Sequence, residues 1–156
     1  MEMRGKAMIA RFGPSTYDDM ERQIRLEASR RQLAVDFVHS NSEGFLIDRL
    51  YAAFDEAAAP PDGATAPLVG VVLNPAGFTV GYRALAMAVQ QLTERLPVVE
   101  VHVSNPSVAG VVSDISRSAS AVFVGAGMRG YAYALDHLAY LSDPQTLSTT
   151  DDGKRK

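Results

Sequence analysis

Four short runs of apolar, mostly β-branched residues punctuate the chain: "AVDFVHS" (34–40), "PLVGVVLNP" (67–75), "PVVEVHVSN" (97–105) and "SAVFVGAG" (120–127). A weaker run, "KAMIARF" (6–12), precedes them. Between the runs, apolar positions recur at helical spacing over roughly 18–33, 43–59, 80–96 and 129–142. Short buried runs alternating with helical segments are the pattern of βαβ units around a parallel sheet. The first helix opens after "GPSTYDD", where Ser15 or Thr16 can cap and two aspartates suit the positive helix end. "AAAPPDGATAP" (57–67) stops the second helix and starts a loop. The final stretch "LSDPQTLSTTDDGKRK" is almost free of apolar residues, so the pattern predicts one domain over 1–142 and a mobile tail over 143–156.

A near-continuous apolar strand such as "VGVVLN" is covered on both faces. The expected architecture is therefore α/β: a flavodoxin-like three-layer αβα sandwich with a five-stranded parallel sheet. Such folds bind ligands beyond the carboxyl ends of their strands. Here those ends read "HSNSEG", "LNPAG", "HVSNP" and "GAG". Small polar groups gathered on one sheet edge suit a polyhydroxylated small molecule, although Asn, Ser and Gly also serve ordinary turns and caps.

Composition narrows the chemistry. With 156 residues, 47% hydrophobic and 21% charged, the chain can bury one full core. A net charge of −3 gives no reason to expect nucleic acid or an anionic membrane as partner. The absence of cysteine excludes disulfides and thiolate metal sites, and His39, His102 and His137 form no pair at metal spacing. No metal or other cofactor is expected. "GAGMRG" (125–130) has the look of a dinucleotide fingerprint, but no further βα unit follows it; Gly127 and Gly130 are expected to allow close strand–helix approach instead. No apolar run of about 18 residues and no secretory leader is present, which predicts a soluble cytoplasmic protein.

Four motifs resemble those of one family, the type II 3-dehydroquinate dehydratases. "HSNSEGFLIDRL" (39–50) resembles "QSNHEGELIDRI", and "VVLNPAGFT" (71–79) resembles "IVINPGAYTHTS". "VEVHVSN" (99–105) resembles "IEVHLSNIHARE", and "VFVGAGMRGYAYAL" (122–135) resembles "VICGLGAYGYLLAL". The resemblance implies a lyase acting on a small anionic substrate, with a homo-oligomer, trimer or dodecamer, as its assembly. It implies that a tyrosine, activated by a lid arginine, takes a proton beside a ketone to form an enolate. A histidine then protonates the leaving hydroxyl. Carried onto this chain, the general acid falls on His102, its acidic neighbour on Glu100, and the asparagine that holds the enolate-stabilising water on Asn74. The carboxylate grip falls on Val103 and Ser104, followed by Asn105, while Gly77 and Val80 lie on the substrate side of the matched turn. Period-two geometry agrees in part: Glu100, His102 and Ser104 share a strand face. A carboxylate beside an imidazole favours its protonated, donating form.

Other positions depart from the family pattern. Aligning "FGPSTYDDME" with the family's "YGSTTLEDIE" puts Phe12 where the catalytic tyrosine belongs, and Arg11 does not match the lid arginine's position. The family's "YTHTS" histidine is replaced by Val80, and an aspartate that reaches a neighbouring subunit's site is replaced by Met87. "PSVAGVVSD" runs about three residues shorter than its counterpart and lacks both arginines of that loop. The substitutions are consistently apolar. They point to a divergent member of the family with an altered active site, a lyase-type enzyme of specialised metabolism (dehydratase, cyclase or isomerase) acting on a less hydroxylated substrate. Ordinary 3-dehydroquinate dehydration would then be weak or absent. The alternative is a non-catalytic binding or assembly module that inherited the fold. Tyr17, Tyr82 and Tyr131 are candidates for a substitute hydroxyl, each also readable as a packing residue. Glu43 reads as a helix N-terminal charge and Asp48 as half of a surface ion pair.

Overall fold

The run at 97–105 becomes the centre of the sheet. Strand β2 (Val98–His102) is buried at all five positions and lies in parallel between β1 (Val71–Leu73) and β3 (Ala121–Val124), in the order β1-β2-β3. A strand with a partner on each side and helices on both faces is screened from water, so the two polar residues β2 carries, Glu100 and His102, are buried with it. Leu73 is level with Glu100, and His102 with Val124. The computed structural model describes residues 14–59 and 66–143. The expected strand at 6–12 and the tail after residue 143 lie outside the described residues.

Of the five expected strands, three form a ladder among the described residues. Segment 34–40 has none there, yet its side chains alternate: Leu33, Val35 and Phe37 pack into the core while Ala34, Asp36 and Val38 face out. Arg25 holds this segment, donating from Nη1 to the Val35 carbonyl at 2.9 Å with its guanidinium over the Phe37 ring.

Among the described residues, four α-helices cover the sheet: α1 (Tyr17–Ser29), α2 (Glu43–Ala58), α3 (Arg83–Leu92) and α4 (Arg129–Ser142). The two faces carry separate cores. Val99 and Val101 of β2 pack with Met20, Ile24 and Ala28 of α1 and Ala134, Leu135 and Leu138 of α4. Val98 packs with Leu50 of α2 and Leu85, Ala88, Val89 and Leu92 of α3, joined by Ile115. The result is an α/β fold with helix layers on both sides of a parallel sheet.

Local chemistry sets the helix ends. Thr16 caps α1 through a reciprocal box with Asp19. The same helix ends four residues before its expected limit, in a turn where Gln32 takes φ 59° while Leu33 N–H reaches the Ala28 carbonyl and Gln32 N–H that of Ser29. Helix α3 starts three residues late because Gly81 turns the chain at φ 87°. Its N-terminus has no side-chain cap of its own; Glu43 Oε1 of α2 accepts from Leu85 N–H at 3.2 Å instead. Glu43 thus serves two helix ends, whereas no ion pair of Asp48 occurs among the described residues. At the start of α4, a Cβ on Gly130 would stand 3.0 Å from Val101 Cγ1, so that glycine admits the helix onto β2. Gly127 meets open space, and its role is the turn it makes at φ 59°.

Candidate active site

The carboxyl edge of β2 carries a charge in the dry interior. Side chains alternate along a strand, so Glu100 and His102 leave β2 on the same face as Val98, toward α2 and α3. Glu100 is completely buried and His102 is 7% exposed. The residues level with Glu100 on the flanking strands, Leu73 and Val122, are apolar. An isolated carboxylate could not remain ionised there; this one is surrounded by donors. His102 Nε2 lies 2.7 Å from Glu100 Oε1, and Ser113 Oγ donates to the same oxygen at 2.5 Å. Ser116 Oγ donates to Oε2 at 2.5 Å. Burial pushes the Glu100 carboxyl up, but the hydrogen bonds from His102, Ser113 and Ser116, with the charge of the imidazole, outweigh it and hold the group below its ordinary value. An ionised carboxylate only accepts, so His102 Nε2 carries hydrogen. Its Nδ1 has no hydrogen-bond partner among the described residues.

Asn74, just beyond the end of β1, is fixed from both sides of its amide. Nδ2 donates to Tyr131 Oη at 2.7 Å, and Oδ1 accepts from Ala76 N–H at 3.1 Å, closing a turn over the strand end. Tyr131 comes from α4 and is itself buried, so one of the three tyrosines considered from the sequence does reach a site residue. The turn that follows is strained at Ala76, with φ 47°, and carries Gly77 on an exposed arc (Ala76–Phe78). Val80 is 52% exposed and Met87 60% exposed.

Beyond His102 the chain leaves the sheet. The Val103 carbonyl accepts from Gly127 N–H at 3.0 Å, and its side chain packs against the core on the α1–α4 side. Ser104 and Asn105 line an open cavity of about 380 Å³ with Val108 and Ala109, and Asn105 Oδ1 caps the short turn Pro106–Ala109 through Ser107 N–H at 2.9 Å. His102, two residues earlier, is not among that cavity's lining. A second cavity of about 320 Å³ lies between α3 and the 114–118 segment, lined by Arg83, Met87, Gln90, Asp114 and Arg117 among others. Phe12 lies outside the described residues. The structure therefore joins Glu100 to His102, places Asn74 on the adjacent strand at the same sheet edge, and sets Ser104 and Asn105 on a separate cavity wall.

Ser113 and Ser116 were not legible as site residues. They sit in "VVSDIS", a stretch whose sequence speaks only of missing arginines, and nothing local ties them to β2. The one available signal is a lone large apolar residue, Ile115, set among polar ones in "SDISRS", which marks a loop that docks on the core. A second imidazole–carboxylate contact also emerges: His39 Nε2 lies 2.7 Å from Glu21 Oε1, with the Tyr17 ring edge-on to the imidazole at 3.8 Å. It links α1 to the 34–40 segment. Among the described residues, no group of three His, Asp or Glu side chains is placed to hold a metal ion, and no helix is long and apolar enough to cross a membrane.

Known proteins resemble this chain in sequence and in fold. The family model described as "Dehydroquinase class II" matches residues 1–139. The 3-dehydroquinate dehydratase 1 of Corynebacterium efficiens is 40% identical over 131 residues, 82% of this chain and 78% of that protein. The 3-dehydroquinate dehydratase of Corynebacterium glutamicum is 37% identical over 144 residues, 90% of each chain. Among solved structures, the type II dehydroquinase from Propionibacterium acnes aligns with a TM-score of 0.76 at 26% identity, covering 88% of each chain.

Proposed function

The chain belongs to the class II dehydroquinase family, and on that premise we propose that it is a lyase in which His102, held by Glu100, is the general acid. The observation that carries this reading is the buried Glu100–His102 pair, a 2.7 Å contact in an apolar setting. In the reaction, a C–H bond beside a ketone breaks, its proton passing to solvent because Phe12 offers no base, and an enolate is left. The enolate collapses to a carbon–carbon double bond as the C–O bond of a neighbouring hydroxyl breaks, and the imidazolium supplies the proton that makes the departing group water. Asn74 holds the water that stabilises the enolate, and its amide orientation is already set by Tyr131 and Ala76. Ser104 and the backbone around Val103 and Asn105 take the substrate's anionic group.

The substrate we propose is a small anion with fewer ring hydroxyls than 3-dehydroquinate. Phe12 in the tyrosine's place has no titratable atom, and Val80 and Met87 offer hydrocarbon where the family pattern has an imidazole and a carboxylate. A substrate whose α-proton is acidic by itself does not need the tyrosine. The test is a dehydration assay that follows the conjugated enone with wild type, His102→Ala and Phe12→Tyr side by side. Feeble turnover of 3-dehydroquinate that His102→Ala removes and Phe12→Tyr raises supports the reading. Robust turnover by wild type sinks the proposed change of substrate, and turnover that persists in His102→Ala sinks the role of the histidine.

A further inference from the structure

The mechanism above uses Glu100 and His102 but does not say what holds a buried carboxylate that has no arginine or lysine bonded to it among the described residues. Among the described residues, the groups hydrogen-bonded to the Glu100 carboxylate are the His102 imidazole and two hydroxyls. We infer that Ser113 and Ser116 are positioning residues for the general acid: together they fix Glu100 as an acceptor, which orients His102 with Nε2 inward and leaves Nδ1 to exchange the proton. The inference rests on the reading of His102 as the acid, but its geometry stands independently of any substrate.

Three features make the serines a built device. First, their own positions are clamped. Ile115, between them, is fully buried in the core on the α2–α3 face. Asp114 N–H donates to the Thr79 carbonyl at 3.0 Å, and Asp114 Oδ2 accepts from Gly81 N–H at 2.7 Å. Second, the Ser113 hydroxyl accepts from Ile115 N–H at 3.2 Å, so its own hydrogen is left for Glu100. Third, the two hydroxyls take different carboxylate oxygens, one each, which pins the plane of the group. Ser113 also serves the local turn, whereas the hydrogen bond of Ser116 Oγ goes to Glu100 alone. Ser116 is therefore the residue that separates a positioning role from a merely structural one. Around Glu100, the titratable group on its own strand is His102. Asp114 from the facing segment is occupied at Gly81, Arg117 is exposed on the other cavity, and Leu73, Val122 and the packed faces of α2 and α3 contribute no charge there.

The experiment is NMR on the full chain: the Glu100 side-chain carboxyl carbon and the His102 ring nitrogens, followed against pH in wild type, Ser116→Ala, Ser116→Thr and the Ser113→Ala/Ser116→Ala double variant. Wild type should show hydrogen on Nε2 of the neutral ring. The Glu100 midpoint should rise in Ser116→Ala and rise further, by about one pH unit or more, in the double variant, with mixed tautomers at His102; Ser116→Thr should restore both. If turnover is measurable, the acid limb of the pH–rate profile should move upward by the same amount with KM little changed. An unchanged Glu100 midpoint and tautomer in folded Ser116→Ala would overturn the inference. Because these signals need no substrate, absence of turnover would count against the proposed function alone.

Discussion

The end of β2 and the end of β1 face the same sheet edge and are built on opposite terms. At β2, both carboxylate oxygens of Glu100 are matched by donors, and the group is fully buried. At β1, the turn after Asn74 is exposed and strained at Ala76, and it ends in the half-exposed Val80. The first region couples chemistry to stability: altering it leaves buried donors unpaired. The second is a surface loop, where a change of side chain alters what is recognised at little cost to the fold. On the proposed function, this difference is how a lyase site would keep its acid while its recognition side is rewritten in hydrocarbon.

The contrast can be broken most severely at His102. Replacing it with alanine should reduce turnover on the best substrate by about 10²–10⁴-fold while the far-ultraviolet circular dichroism spectrum stays native. Glu100→Ala should cost stability as well as rate, because it orphans the buried hydroxyl of Ser113 and the imidazole. A loss of about 2–3 kcal/mol in urea unfolding is expected, and a loss under about half that would mean the network is not as dry as its burial indicates.

The same carboxylate gives the pH dependence. Its native value lies below the ordinary 4.5, so as pH falls the unfolded chain binds the proton first. The stabilisation is complete well above 4.5, begins to fade near it, and is lost as pH passes down through the native value. Thermal unfolding from pH 7 to 3 should show this acid slope, and Glu100→Gln should flatten it.

Effects at the other strand end should be smaller. Tyr131→Phe removes one hydrogen bond to Asn74 and should cost about 1 kcal/mol, with a larger effect on kcat than on KM if the amide's orientation matters to the enolate. Val80→His restores the imidazole of the family pattern at an exposed position. It should change unfolding free energy by no more than about 0.5 kcal/mol while raising kcat/KM for hydroxylated substrates. A large stability change there would erase the distinction between the two regions.

How much of this could be read from the residues follows from distance along the chain. Glu100 and His102 are two apart on an apolar strand, so period two alone put them on one face, and the 2.7 Å contact is that geometry realised. The bounds of α4 were equally plain, because a glycine-rich turn precedes the helix and "DPQ" follows it. The end of α1 was hidden because Gln32, not glycine, takes the left-handed position. The serines were hidden for a different reason. They lie 13 and 16 residues from Glu100 in a loop whose course depends on Ile115 finding the core and Asp114 finding Gly81. Local pattern carries no record of that docking.

The central claim is that an intact acid works beside a recognition surface that has turned apolar. The most direct measurement is the kcat/KM of the wild-type chain for 3-dehydroquinate against an analogue that keeps the ketone, the leaving hydroxyl and the carboxylate but lacks another ring hydroxyl. The account predicts a preference for the deoxygenated analogue of about tenfold or more, lost together with all turnover in His102→Ala. A preference for 3-dehydroquinate would contradict it and return the site to the family's ordinary substrate.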